Sequence, residues 1–581
     1  MFTPSNLVRS GLKALLPGIA AILSLPGCTV DTHPSADTIY VGGDILTMND
    51  AQPTAEAVAV RGGEILAVGR EADVMKTRGA ETTLTDLGGA TLMPGFIDAH
   101  SHFFNTGLKL ATVNLDPPPA GDVESIADIV RRLSAALAER SDDDDHWLIG
   151  WGYDNGMLEE GRHPTRDDLD AISTEVPILL AHFSSHMAVV NSRGLALGGI
   201  DAKSIPPEGG FIQRKPGSRE PNGILEETAM FPVQRQAMGQ LTGDPEQVFE
   251  RLQRTQELYA SRGFTTMTEM AARPEQVALM REAGERGLLE LDLLATVIYL
   301  SSTAEATAEH YSESYTNHFR VAGGKVVLDG GSPGRTAFLR EPYHRQLPGQ
   351  QDYRGYPAIE RQTDVNNLIA SYYAEGIPVF IHALGDAALD QCIEAVAHAE
   401  ARHPGSDRRT QIIHLQQVQE DQFDQLGELD TSLTFQVTHN FYFADFHARE
   451  IYGPDRTARL NPIASALSRG LSATIHHDSP VHPVDPFMLL WNVVARESRS
   501  GRVWGPNQRV SMMDALKAST ISAAYQFHED DRKGSIEVGK LADLVILDKN
   551  PLNVAKEDIR SLTVLETIKE GRTVYTLGKR Q

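Results

Sequence analysis

Two histidines one residue apart close an apolar run, Met93-Pro94-Gly95-Phe96-Ile97-Asp98-Ala99-His100-Ser101-His102. On an extended strand, residues two apart point to the same face. His100 and His102 therefore converge at a strand end, where two imidazoles can share a metal ion. The ordinary alternative is a pair of polar histidines at a loop start. It loses weight because more ligand-type residues follow later apolar runs. Lys325 lies in Gly324-Lys325-Val326-Val327-Leu328-Asp329-Gly330. His382 closes Phe380-Ile381-His382, His414 closes Ile412-Ile413-His414, and Asp478 follows Thr474-Ile475-His476-His477. Imidazole with carboxylate suits zinc, and also iron or manganese. A cation at such a site would bring the pKa of water toward about 7 and so provide hydroxide as nucleophile at neutral pH. Asp478 could then serve as general base and proton shuttle.

These residues need elements that bring them together. Apolar strand-like runs at 92–99, 263–270, 291–299, 324–329, 377–382, 411–415, 433–438 and 471–476 alternate with helical stretches such as 364–374 and 387–399. This alternation predicts βαβ units and a parallel sheet. Eight such strands predict an α/β fold of the (β/α)8 TIM-barrel type over residues 93–530, with chemistry at the C-terminal strand ends. The interval of about 115–232 is too long for one βα connection and reads as an inserted subdomain over the barrel mouth, where it would shape substrate access. Tyr153 in that insertion, His186, His439 after the seventh strand and His477 are weaker candidates for touching substrate, each with a packing or loop role as the plain alternative. The ends, 37–92 and 531–581, are rich in strands and Gly turns, and are expected to pair into one small β-sandwich.

The chain has 581 residues and a formal net charge of −25. That charge argues against nucleic acid as a partner and against docking on anionic lipid, since both call for a basic footprint. Asp142-Asp143-Asp144-Asp145 reads as a solvated acidic loop, because a like-charge run repels itself and supplies no fixed geometry. The two cysteines, Cys28 and Cys392, form no zinc ribbon or disulfide framework, and Cys392 is expected to be a small buried residue. Residues 1–28 run from basic to apolar to small, ending in Leu25-Pro26-Gly27-Cys28. This order predicts a secretory signal with a lipobox-like end. It implies export to a bacterial periplasm or cell envelope, with Cys28 as a lipid anchor and the only membrane contact, or simple secretion in its place. A small-molecule substrate is expected, and a homodimer as the commonest assembly.

The motifs together resemble the amidohydrolase superfamily. Pro94-Gly95-Phe96-Ile97-Asp98-Ala99-His100-Ser101-His102 is similar to its opening, and Gly539-Lys540-Leu541-Ala542-Asp543-Leu544-Val545 to its closing strand. Gly152-Tyr153-Asp154, Glu220-Pro221-Asn222-Gly223, Lys325 with Asp329-Gly330 and Arg335-Thr336-Ala337, His382-Ala383-Leu384-Gly385-Asp386 and Asp478-Ser479-Pro480-Val481 resemble the YtcJ-like, amidohydrolase-3 branch, which includes N-substituted formamide deformylases. The resemblance implies two divalent metal ions. His100 and His102 would hold the more buried one, and His382 and His414 the second. Lys325 would bridge them after carboxylation by CO₂, because an ammonium has no lone pair. Asp478 would contact the first ion and the attacking water. The implied reaction is hydrolysis of an amide or N-formyl C–N bond. A mononuclear deaminase-like hydrolase, carbamate or ester hydrolysis, and a non-catalytic binding lipoprotein stay open as alternatives. So do Glu269 as the bridge and plain pairing of Lys325 with Asp329 or Glu269. Two departures stand out. Relatives commonly carry an acidic residue before the histidine where this chain has Ile413, and small residues where it has His476-His477. The second departure could bring His477 near the site.

Overall fold

The structure is a computed structural model that describes residues 34–578 apart from 142–145, 184–186, 208–209, 299–303 and 347–350. The signal-like segment with Cys28, the aspartate run and His186 lie outside the described residues.

Eight strands form one sheet: β1 (Phe96–Ile97), β2 (Phe264–Ala272), β3 (Asp292–Ile298), β4 (Phe319–Val327), β5 (Val379–Ala383), β6 (Thr410–His414), β7 (Thr431–Phe435) and β8 (Ser472–Ile475). Each pairs with its sequence neighbour, and every pairing is parallel. Parallel strands covered on both faces read as unbroken apolar runs, as in Leu-Leu-Ala-Thr-Val-Ile of β3, which is buried up to its last residue. The sheet is curled, with β8 and β1 as its two end strands. The His102 backbone N–H donates to the Ser479 carbonyl at 2.7 Å, joining the loop after β1 to the loop after β8. Helices Gln362–Glu375 and Asp386–Arg402 flank β5 and enclose the expected 364–374 and 387–399. The first of them stops at Gly376, whose φ of 69° supplies the left-handed C-terminal turn. Cys392 is fully buried in the second, and burial raises its thiol pKa.

The first apolar run is divided between two sheets. Thr91–Pro94 pairs antiparallel with Leu544–Leu547, and only Phe96–Ile97 enters the eight-stranded sheet. Gly95 is the handover: its N–H donates to Asp543 O at 2.9 Å, and the Phe96 N–H donates to Gly263 O at 2.9 Å. A Cβ on Gly95 would lie 2.3 Å from Thr265 Cγ2, so only glycine lets the chain pass this close.

The two ends of the chain meet in that second sheet, whose order is Arg572–Thr576, Val564–Lys569, Leu544–Leu547, Thr91–Pro94, Asp44–Leu46, Thr54–Ala55. A further sheet holds Glu64–Gly69, Ala57–Arg61, Thr38–Val41 and Thr83–Asp86. Tyr40, Val58 and Ile65 from one sheet share a buried cluster with Leu92, Leu544 and Ile568 from the other.

The long interval after β1 is more than a loop excursion. It forms a six-stranded sheet, Gly210–Arg214, Pro221–Glu227, Met187–Val190, Ile178–His182, Leu148–Tyr153, Val113–Asn114, with its own core around Leu115, Ile129, Leu180 and Val189. Among the described residues no helix is long and apolar enough to cross a membrane.

Candidate metal centre

The C-terminal strand ends gather the ligand-type side chains. Asp478 Oδ1 lies 3.4 Å from His100 Nε2 and 3.4 Å from His102 Nε2, and Asp478 Oδ2 lies 3.9 Å from His414 Nδ1. Donor atoms of His100, His414 and Asp478 all fall within 4.8 Å of one another. The His382 ring stands 4.2 Å from that of His414, and the His100 ring 5.0 Å from it, centre to centre. Lys325 on β4 is buried, and its Nζ has no hydrogen-bond partner.

Neighbouring polar groups fix these positions. The Asp98 carboxylate accepts from the His100 N–H at 3.3 Å, from Thr268 Oγ1 at 2.9 Å and from Ser101 Oγ, which shapes the turn leaving β1. Glu269 in the C-terminal half of β2 accepts the Phe104 N–H at 2.7 Å and stands 3.5 Å from His102 Nδ1. Its carboxylate thus faces the ring nitrogen opposite the one facing Asp478, the usual way a carboxylate orients a ligating imidazole. Asp329 accepts three backbone N–H groups, from Phe338, Leu384 and Gly385 at 2.8–3.0 Å, and pins the turn after β5. Gln436 Nε2 donates to Asp478 Oδ2 at 2.9 Å. His414 at φ 80° and Asp478 at φ 61° occupy the left-handed region. For non-glycine residues this is a strained state that gathers at functional sites.

The donor set matches a divalent cation. Both ring nitrogens of His100, Nδ1 of His414 and Oδ1 of Asp478 are buried without a hydrogen-bond partner, a costly state that a metal ion resolves. Burial holds His100 and His414 well below the usual histidine range, which leaves neutral imidazoles with free lone pairs. His102 behaves differently. Burial opposes its charge, but Asp478 and Glu269 overrule it and raise the ring to about 9. The two carboxylates demand a positive charge between them, and a metal ion can supply it in place of the proton. Burial likewise opposes ionisation of Asp478, yet its histidine neighbours keep it well below the carboxylate range. Burial brings Lys325 down to about 7, against a weaker opposing pull from Asp478.

His100, His102, Lys325, His382, His414 and Asp478 all reach this one chamber. Lys325 pairs with neither Asp329 nor Glu269, whose carboxylates are engaged elsewhere. The weaker candidates among the described residues sit in packed surroundings. His477 is fully buried beneath the chamber, where it accepts the Ser479 N–H and faces Asp98 at 3.8 Å and the Phe264 ring at 5.8 Å. Tyr153 belongs to the core of the inserted sheet, with its hydroxyl 3.1 Å from His163 Nδ1. His439 is buried with Gln416 Nε2 at 2.6 Å from its Nδ1, and burial lowers its pKa to about 3. The residue that sequence reasoning passed over is His476. Its ring lies 4.9 Å from His100 and 5.1 Å from His414, and both of its nitrogens are buried without a partner. His476 stands just past β8 and Asp478 takes a left-handed backbone two residues on, so the two-residue spacing between them is no strand alternation and gave no dependable signal.

The model of the Amidohydrolase family matches residues 83–575. Protein LONG AFTER FAR-RED 3 of Arabidopsis thaliana is 28% identical over 585 residues, which cover 98% of this chain and 95% of that one. N-substituted formamide deformylase of Arthrobacter pascens is 25% identical over 545 residues, 93% and 98% of the two chains. The crystal structure of an uncharacterized metal-dependent hydrolase from Pyrococcus horikoshii OT3 covers 90% of this chain and 99% of its own with a TM-score of 0.70 at 22% identity, a likeness of fold.

Proposed function

This chain belongs to the amidohydrolase family, and on that premise we propose that it is a metal-dependent hydrolase that cleaves the C–N bond of an amide or N-formyl group. One observation carries the reading: His100, His414 and Asp478 converge from separate strand ends with buried donor atoms that no protein group satisfies.

In this reading the eight strands close a (β/α)8 barrel, and the two terminal sheets form a sandwich beside it. His100 and His102 with Asp478 would hold one divalent ion, and His382 with His414 would hold a second. Zinc suits these donors best. The bound ions supply Lewis acidity, which polarises a carbonyl oxygen and lowers the pKa of water. Lys325, carboxylated to a carbamate, would be a further ligand for the metal. Its amine, brought near neutrality by burial, adds to CO₂, forms an N–C bond and releases a proton. The product offers carboxylate oxygens where an ammonium offers no lone pair. Asp478 takes the proton of the attacking water as the new C–O bond forms. It then delivers that proton to the nitrogen as the C–N bond breaks and its electron pair passes to the leaving amine. Gln436 and the left-handed backbone hold the Asp478 carboxylate in place for both transfers. Glu269 keeps the His102 ring aligned. Export, with an anchor at Cys28, completes the proposal on the strength of the N-terminal motif alone.

A single-ion site is the second reading, favoured by the tight grouping of His100, His414 and Asp478. Metal analysis of residues 29–581 and of the same protein carrying Lys325→Ala separates the two. About two equivalents, falling in the variant, support the bridged pair. About one equivalent, indifferent to the variant, supports the single ion. No metal after reconstitution overturns both, and a screen of amide and N-formyl compounds tests the reaction itself.

A further inference from the structure

Among the described residues Arg499 has a guanidinium with no ion-pair partner in contact. Its backbone N–H donates to Phe441 O at 3.1 Å. Its guanidinium carbon stands 4.8 Å from the centre of the Tyr442 ring. Among the described residues its side chain forms no ion pair or hydrogen bond, and its Nε is buried without a partner. Arg496, three residues earlier, shows the contrast: it is fully buried yet donates to Trp504 O, Leu460 O and Asn461 O at 2.6–3.2 Å. A half-buried guanidinium left unmatched is costly, and a ligand that supplies an anion removes that cost.

The surroundings say where such a ligand would lie. Arg499 lines a small cavity with Asp116, Asp154, Phe183, Tyr442, Phe443 and His482, and the Asp116 carboxylate is already paired with Lys109 at 2.8 Å. Asp154 and Phe183 come from the inserted sheet, whereas His482 lies on the loop that leaves Asp478. Phe183 stacks on Phe443 at 5.1 Å, and Tyr442 on His482 at 4.5 Å. The His482 ring in turn stands 5.4 Å from that of His439, and His439 feels the charge of Asp478. The cavity therefore sits between the insertion and the candidate metal centre. Asp154 is the nearby unpaired carboxylate: it attracts Arg499 through space without contact, its Oδ1 accepts the Gly156 N–H at 2.9 Å, and burial raises its carboxyl and so weakens that attraction. The cavity volume of about 30 Å³ suits a compact planar anion. Arginine grips a carboxylate through two parallel N–H donors, and the aromatic walls, by excluding water, strengthen that attraction.

We propose that this cavity is a carboxylate subsite: Arg499 binds the carboxylate of an N-acyl or N-formyl substrate while the scissile amide lies at the metal centre. The inference rests on the hydrolase reading above. It is tested with N-formylglycine, N-formyl-β-alanine and N-formyl-4-aminobutyrate, each beside the same compound lacking the carboxylate and the same compound ending in an ammonium. The best carboxylate is expected to exceed its decarboxylated partner in kcat/KM by about 10- to 100-fold. That ratio is expected to fall toward one in Arg499→Gln and to survive in part in Arg499→Lys. A ratio unmoved by Arg499→Gln, or a preference for the ammonium series, overturns the subsite and leaves the hydrolase intact. If no compound is hydrolysed, the hydrolase reading fails for this class, and calorimetry with the same carboxylates decides the inference. Binding to the parent protein that is lost in Arg499→Gln upholds it. Equal binding, or none to the parent, overturns it. Melting curves of each variant verify folding, and Arg499→Lys serves alone if Arg499→Gln does not fold.

Discussion

Asp478 meets two demands at once: it must stay ionised in a buried chamber and hold a left-handed backbone. Asparagine tolerates that backbone almost as well, so Asp478→Asn removes the base and spares the fold. Turnover is expected to drop by about 10²- to 10⁴-fold, with melting temperature nearly unchanged and metal retention weakened, since the amide is a poorer ligand than the carboxylate. An unaltered rate would rule out Asp478 as the proton carrier. The neighbouring histidines divide by the same logic. His476 presents two unpartnered nitrogens to the chamber, whereas His477 accepts the Ser479 N–H and packs on Phe264. His476→Leu is expected to weaken metal retention by about 10- to 100-fold in a chelator titration. His477→Leu is expected to cost about 1–3 kcal/mol in denaturant unfolding through the group it leaves unpaired, with the metal count intact. Equal metal retention in both variants would reduce His476 to packing.

At the scale of elements, the eight strands were legible because strands buried on both faces write themselves as apolar runs, and each expected run overlaps one strand of the parallel sheet. Pairing was not legible, since it joins residues far apart in the chain. The run 92–99 looks continuous, yet the chain serves two sheets, with Gly95 as the seam. The insertion was visible as surplus length, but the order of its six strands was not. Without that order, the face on which Tyr153 lies could not be told, and the structure turns it into the core. The main ligand positions were readable because strand ends are local features. His476 was missed because β8 ends at Ile475 and strand alternation is not guaranteed past a strand end. The seam makes a prediction of its own. Gly95→Ala pushes a methyl into Thr265 and is expected to cost about 1–3 kcal/mol. It should also loosen metal binding, because the displaced segment leads straight to His100. Urea unfolding with a parallel metal assay checks both effects. Stability within about 0.5 kcal/mol of the parent would mean that Thr265 yields.

The whole molecule is tied together by charges buried far from the metal centre. Asp292 opens β3. Its Oδ2 receives Lys533 Nζ at 2.6 Å and Lys569 Nζ at 2.8 Å, and its Oδ1 faces His318 Nδ1 at 2.9 Å. Lys569 also reaches Asp543 at 2.9 Å. Lys533, Asp543 and Lys569 belong to the C-terminal stretch that pairs with Thr91–Pro94, so the network fastens that stretch to the eight-stranded sheet. Asp292, His318 and Glu570 have the spacing of a cation site, but the two ammonium groups already supply the positive charge there. Burial alone would raise the Asp292 carboxyl; Lys533 and Lys569 overrule it and hold it well below the usual range. Both lysines are raised in return by their carboxylate neighbours. The signs follow. A depressed carboxyl contributes stability above its unfolded pKa of about 4 and loses it as pH falls through the folded value; raised lysines contribute below about 10.4 and lose it as pH climbs through theirs. The network is therefore complete between about pH 4 and about pH 10. Asp292→Asn leaves two buried ammonium groups short of a partner and is expected to cost about 3–5 kcal/mol at neutral pH. In urea unfolding the gap between parent and variant should narrow below about pH 4, as the parent's own carboxyl takes up its proton. A gap that stays constant down to pH 3 would show that Asp292 acts through shape and hydrogen bonding instead of charge. Thr91–Pro94 runs on through Gly95 to His100, so loosening the network should lower the denaturant concentration at which metal is released as well as the one at which the chain unfolds.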